Sequence, residues 1–300
     1  MTTRARILAA LSGLALSTTA AAATREFVLT AAVGQWDVGS GTSITAWTYN
    51  SSVPGPEIRV SPGDTVRVTL INRLPEATTI HWHGVPVPNG MDGVPGISAP
   101  VVPPGGQFVY EFPAPAPGTY WYHPHADAAA QIARGLYGLL VVEPPASEKT
   151  WDRDFSLVIG ELGLMTSMTS GGMGGMGGGM SSTAMGMAGS LLINGKAGPY
   201  VPYLQVKRGE RVLFRFVNTG NMVHPMHLHG MNWTVTATDG YEVPAPYRKD
   251  TLPVNAGERY DALLEATNPG TWMLHCHNLQ HVGEGAAGMT GLTMRVVVSP

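Results

Sequence analysis

The 300-residue sequence predicts an all-β protein built from two Greek-key β-sandwich domains. Three observations carry that expectation. Gly (38) and Pro (24) are abundant while charged residues make up 13% of the chain, which suits many short strands joined by turns better than a helical bundle. Apolar residues recur at period two, as in Val66, Val68 and Leu70 or Val212, Phe214 and Phe216, so one face of each strand is directed to a core. The chain also repeats itself: "IRVSPGDTVRVTLIN" (58–72) matches "LQVKRGERVLFRFVN" (204–218), and "HWHG" (81–84) matches "HLHG" (227–230), both at an offset of 146. "PGTYWYHPH" (117–125) then matches "PGTWMLHCH" (269–277) at an offset of 152.

Taken in order, residues 1–23 carry Arg4 and Arg6, an apolar run from Ile7 to Leu16 and an Ala21-x-Ala23 end, the pattern of a signal peptide. A secreted or periplasmic protein is expected. No other segment reaches the length of a membrane span. Domain one is expected over 25–145, with a single short helical piece at Asp127 to Ala133. Domain two is expected over 151–300, from the strand-like "FSLVIGEL" onward, with "LLINGK" following a Met/Gly-rich loop at 165–190. That loop holds Met165, Met168, Met173, Met176, Met180, Met185 and Met187. Its Gly/Ser composition predicts a flexible connection, but such connections do not require Met, and thioethers are soft ligands suited to recruiting Cu(I). The net charge of -3 and pI near 6.3 exclude an electrostatic nucleic-acid binder, whose affinity needs a dense basic surface.

The ten histidines fall in four clusters, "HWHG", "HPH", "HPMHLHG" and "HCHNLQH", with none elsewhere. Each cluster contains a His-x-His pair, and residues two apart on an extended strand point to one face. Four pairs supply eight imidazoles, enough for three metal ions with open positions, and so predict a multinuclear centre at a domain interface. The only cysteine, Cys276, lies between His275 and His277, so its sulfur must face the other way and serve a second site. Thiolate, two imidazoles and a weak thioether form the ligand set of a blue-copper site. His224 and His281 are the histidines left over from the pairs.

These four motifs together resemble those of the multicopper oxidase family, in particular its two-domain, laccase-like members, over nearly the whole chain after residue 23. The resemblance implies two cupredoxin-like domains and about four coppers per chain. Type 1 copper would be held by His224, Cys276 and His281, and type 2 copper by His81 and His227. One type 3 copper would take His83, His123 and His277, the other His125, His229 and His275. The implied reaction is one-electron oxidation of phenols or aromatic amines coupled to four-electron reduction of dioxygen to water. Asp92 occupies the position of the family's proton-relay acid. The glutamate that often follows the last histidine of the fourth motif is replaced here by Val282, with Glu284 nearby.

In the family's usual spacing the axial residue would be Ala286, which has no donor atom. Matching "GLYGL" (135–139) to "GMTGL" (288–292) indicates that both copies have lengthened this loop and points to Met289 instead. By the two offsets, His224, Cys276 and His281 correspond to Thr78, Pro124 and Ala129, so only domain two can hold a type 1 copper. Three-domain relatives use a middle domain to bring the first and last together. Without it, domain one of one subunit would meet domain two of the next, closing a homotrimer ring with interfacial trinuclear centres. Other readings are a cuprous oxidase for copper detoxification, which the Met-rich segment favours, and a copper nitrite reductase, which does not need four His-x-His pairs. A non-enzymatic copper electron carrier or storage protein leaves eight paired histidines without a purpose.

Overall fold

Alternating apolar side chains become strands with one buried face, and Gly–Pro punctuation becomes the turns between them. A computed structural model of the chain describes residues 22–39, 41–163, 191–285 and 288–300. The Met-rich segment and nearly all of the expected signal peptide lie outside the described residues. The first half contains β1 (Thr24–Gly39), β2 (Thr42–Tyr49), β3 (Ile58–Val60), β4 (Thr65–Asn72), β5 (His81–His83), β6 (Gln107–Pro113), β7 (Gly118–His123) and β8 (Gly138–Val142). Sheets β2-β1-β4-β6 and β3-β8-β7-β5 face each other across a core of Val66, Val68, Leu70, Trp82, Tyr110 and Phe112. The pairs β1–β4 and β3–β8 are parallel, so the chain crosses between the sheets before returning, as Greek-key connections require. The helix expected at 127–133 is α1 (Ala128–Ala133), between β7 and β8.

The second half contains β9 (Arg153–Glu161), β10 (Leu191–Ile193), β11 (Leu204–Lys207), β12 (Arg211–Asn218), β13 (His224–Leu228), β14 (Trp233–Thr238) and β15 (Tyr241–Lys249). It continues through β16 (Thr251–Val254), β17 (Arg259–Glu265), β18 (Gly270–Cys276), β19 (Val282–Gly285), β20 (Gly288–Gly291) and β21 (Thr293–Ser299). Its sheets are β10-β9-β12-β17-β14-β15 and β11-β21-β18-β13-β16, with β19–β20 a separate hairpin. The sequence repeat is a structural one. The offset of 146 carries β4 onto β12 end to end, and the parallel pairs recur as β9–β12 and β11–β21.

In one respect the second copy departs from simple alternation. β4 alternates between buried and more open positions, but in β12 every residue from Val212 to Asn218 is buried. The second face of its sheet is covered by the first half. Val158, Leu162, Leu192 and Val217 pack there against Val38, Trp121, Tyr137 and Leu139 in a shared apolar layer. Beside that layer runs a buried polar seam. Arg215 Nε lies 2.6 Å from Asp154 and its Nη1 2.9 Å from Thr119 Oγ1, Thr119 also donates to Asp261, and Arg259 Nε donates to the Thr119 carbonyl at 3.3 Å. Charges taken this far from water are tolerable because they are mutually paired and hydrogen-bonded. The seam orients one half on the other.

Candidate metal centres

The four His-x-His pairs sit on two antiparallel strand pairs, β5 with β7 and β13 with β18. His81 lies opposite His123, and His227 opposite His275. The middle residue of each pair anchors it. Trp82 and Leu228 are buried in the cores, Trp82 against Phe112 with ring centroids 4.7 Å apart, so the flanking histidines turn to the other face. His81, His83, His123 and His125 form one quartet with ring separations of 5.2–6.4 Å, and His227, His229, His275 and His277 form another at 4.9–5.8 Å. Within the first, His81, His83 and His123 each offer a nitrogen, the three lying within 4.8 Å of one another. Among the described residues no ring contact joins one quartet to the other. His125, His229 and His277 are exposed.

Backbone oxygens set which ring nitrogen is free. A carbonyl can only accept, so the proton resides on the nitrogen facing it and the other nitrogen presents its lone pair. Nδ1 of His123 donates to the Pro124 carbonyl at 3.0 Å, Nδ1 of His275 to Cys276 at 2.9 Å, Nδ1 of His227 to Asp250 at 3.0 Å and Nδ1 of His81 to Asp92 at 2.9 Å. Two ring contacts are close, His83 Nδ1 with His123 Nε2 at 3.2 Å and His229 Nε2 with His275 Nε2 at 3.1 Å. Burial pushes His123 down to about 3, with the rings of His81, His83 and His125 adding to the shift. Burial also takes His83 down to about 4, helped by the Arg259 and His81 charges. Neutral imidazoles with inward lone pairs are what a transition metal requires.

The second cluster is fully buried. Cys276 Sγ lies 3.8 Å from His224 Nδ1 and 3.5 Å from His281 Nδ1, and the two Nδ1 atoms are 3.0 Å apart. Cys276 faces the core among Met226, Leu274 and Leu292, opposite in direction to His275 beside it. Burial pushes its thiol up to about 11, so without a positive ion the sulfur keeps its proton. A metal ion held by Cys276, His224 and His281 would supply the missing positive charge, and one soft sulfur with two imidazoles suits copper. The Cys276 carbonyl accepts from His275 Nδ1 at 2.9 Å, so backbone and hydrogen bond both link this cluster to the second quartet. In the first half the corresponding space is closed by neutral groups, with Thr78 Oγ1 2.7 Å from Gln131 Oε1 on α1.

Asp92, singled out in the sequence, lies against the first quartet, its Oδ1 3.1 Å from His81 Nδ1. It also begins a tight turn: a Cβ on Gly93 (φ +76°) would stand 1.8 Å from the Ile80 carbonyl oxygen. Met289 is half-buried on β20, opposite Glu284 in the β19–β20 hairpin. Three residues later the Leu292 carbonyl accepts from Cys276 N–H at 2.9 Å, and the Leu292 N–H donates to His281 at 3.1 Å. Glu284, the other acid near the fourth motif, is exposed on that hairpin.

One residue that sequence reasoning missed is Glu161, at the end of β9. Its Oε1 lies 3.1 Å from His224 Nε2 and accepts from Met222 N–H at 2.8 Å. Burial works against ionisation, but the His224 ring and the N–H groups of Met222 and Asn221 hold this carboxyl below its ordinary range. No motif marks it, because it comes from the opposite sheet, 63 residues before its partner.

Comparison with known proteins shows the family. Two multicopper oxidase family models match, one over residues 30–147 and one over 175–294. The chain is 33% identical to multicopper oxidase MmcO of Mycobacterium tuberculosis, over 77% of this chain and 49% of that one. It is 30% identical to a copper resistance protein A homolog of Pseudomonas syringae pv. tomato, over 88% of this chain and 51% of that one. The chain thus spans about half the length of the curated relatives it matches. Among solved structures, the blue copper oxidase of Nitrosomonas europaea superposes with a TM-score of 0.80 at 31% identity, covering 92% of this chain and 86% of that one.

Proposed function

This chain belongs to the multicopper oxidase family, and from that premise we propose that it is a laccase-like oxidase. It would take single electrons from phenolic or aromatic donors and use them to reduce dioxygen to water. The observation that carries the reading is the division of donors into one buried Cys–His–His cluster and two histidine quartets. We assign His224, Cys276 and His281, with Met289 as a fourth donor, as the residues that would hold a type 1 copper, and His81 with His227 as those that would hold a type 2 copper. His83, His123 and His277 would hold one type 3 copper, and His125, His229 and His275 the other. The close pairs His83–His123 and His229–His275 support this two-plus-one sharing. Copper, about four ions per chain, would supply the one-electron storage that lets four reducing equivalents reach one dioxygen molecule.

The chain's own residues do the rest. Carbonyl oxygens hold the ring protons away from the ligand nitrogens, the core position of Cys276 keeps water from its sulfur, and the Cys276–His275 link offers a short bonded route between the two sites. Asp92, with its Oδ1 3.1 Å from His81 Nδ1, would hold and pass a proton at the edge of the first quartet. The domain limits 25–145 and 151–300 follow the repeat. A subunit whose quartets are apart needs a partner to bring a first-half quartet to a second-half one, which favours the homotrimer. Residues 1–23 favour export, to a secreted or periplasmic location. Metal analysis with an optical spectrum and oxygen uptake on a simple phenol tests the whole. Four coppers, an intense thiolate-to-copper band and uptake are expected, and a protein with the band but no uptake would instead be an electron carrier.

A second reading, cuprous oxidase, draws on the seven methionines from Met165 to Met187 and on the likeness to a protein named for copper resistance. Deleting 165–187 separates the two. Loss of Cu(I) oxidation with phenol oxidation intact would favour the copper role, and loss of neither would assign the segment to neither activity.

A further inference from the structure

The two imidazoles of the Cys276 cluster are backed unequally. His281 Nε2 lies 2.9 Å from the neutral amide of Asn278, three residues away on the same loop. His224 Nε2 lies 3.1 Å from the carboxylate of Glu161, which reaches it from a different sheet. His224 is fully buried and Glu161 is 7% exposed, so solvent screens the contact little. The carboxylate is itself fixed by the Met222 N–H at 2.8 Å and has no slack beside Gly220, where a Cβ would stand 2.2 Å from Oε1. The mechanism proposed above makes no use of it.

We propose that Glu161 is a positioning residue of this copper site, fixing the His224 ring with its proton on Nε2 and biasing the site toward its oxidised state. The inference rests on the reading of the cluster as a copper site. Accepting the Nε2 proton leaves the Nδ1 lone pair toward Cys276 and His281 and makes the imidazole a stronger donor, as carboxylate partners of metal-bound histidines do. Charge acts in the same direction. One thiolate and one carboxylate balance a doubly charged ion, whereas a singly charged ion leaves a net negative charge buried without a partner.

The test is a redox titration of the thiolate-to-copper band in the copper-loaded full chain. Glu161→Gln keeps size and removes charge, and Glu161→Asp restores the charge. At a fixed poise we expect Glu161→Gln to raise the ratio of reduced to oxidised site at least tenfold, an upward shift of about 59 mV for a one-electron couple. Glu161→Asp should return part of that shift. A ratio within about twofold of wild type, with the band intact, would overturn the role of Glu161, whereas a wild-type protein lacking the band would overturn the copper reading beneath it. A Glu161→Gln chain that fails to fold leaves the wild type to decide. In the Cu(I) form of the wild type, nitrogen-15 NMR should find the His224 Nε2 proton in slow exchange with solvent, and fast exchange of that proton sinks the proposal.

Discussion

At the scale of single residues, alternation along a strand turns neighbouring donor side chains toward two different candidate metal sites. Trp82 and Leu228 occupy the core positions between paired histidines, and in the fourth pair the same position is Cys276. A sulfur set into a core slot gains a dry, rigid surrounding, and burial there keeps the thiol protonated in the absence of a metal ion. Asp92 sits at the other extreme, two-thirds buried at the rim of its quartet beside His81. If it relays protons, Asp92→Asn should lower oxygen uptake by about 10²-fold, while stopped-flow reduction of the blue band by the phenol is unchanged. Equal slowing of both steps would assign Asp92 to structure alone. For Met289, Met289→Leu should raise the potential of the blue site and keep its colour, and an unchanged potential would remove it from the site.

Elements are held by short polar straps as well as by apolar layers. Asp64, in the turn between β3 and β4, accepts from Ser61 N–H at 2.9 Å, Ala23 N–H at 3.0 Å and Arg25 Nε at 3.0 Å, and so pins the start of β1 onto its parallel neighbour. The Ser61 N–H, with Ala23 and Arg25, holds this carboxyl below its usual range. A depressed folded pKa contributes stability that is fully present above the unfolded value of about 3.9 and is lost as pH falls through the folded one. Asp64→Asn should therefore cost about 1.5–3 kcal/mol near neutral pH, and denaturant titrations should find the difference shrinking only below about pH 4. A difference constant down to pH 2 would mean that the strap does not depend on charge.

For the whole molecule, the arrangement of quartets makes a prediction that needs two variants. One chain carries His81→Ala and His83→Ala, the other His229→Ala and His275→Ala. In a heterologous ring each variant alone lacks every complete centre, but any mixed trimer contains one junction between an intact first half and an intact second half. Refolded together in equal amounts they should recover about a quarter of wild-type oxygen uptake. No recovery, with each variant folded and its blue band retained, would place both quartets of a centre within one chain.

Much of this was legible in the chain itself, because strands write their faces at period two and duplication writes itself as an offset. The strand classes, the repeat, the short helix α1 and the grouping of His224, Cys276 and His281 all follow from local pattern. The full burial of β12, the Thr119–Arg215–Asp261 seam and the Glu161–His224 contact do not, since each joins segments distant in sequence whose side chains carry no mark of their partner. The sequence by itself determined which atoms can bind metal. Only the tertiary structure decided how closely they approach and which carboxylate stands behind them, because a ligand's chemistry is local while its neighbours depend on how two sheets and two halves pack.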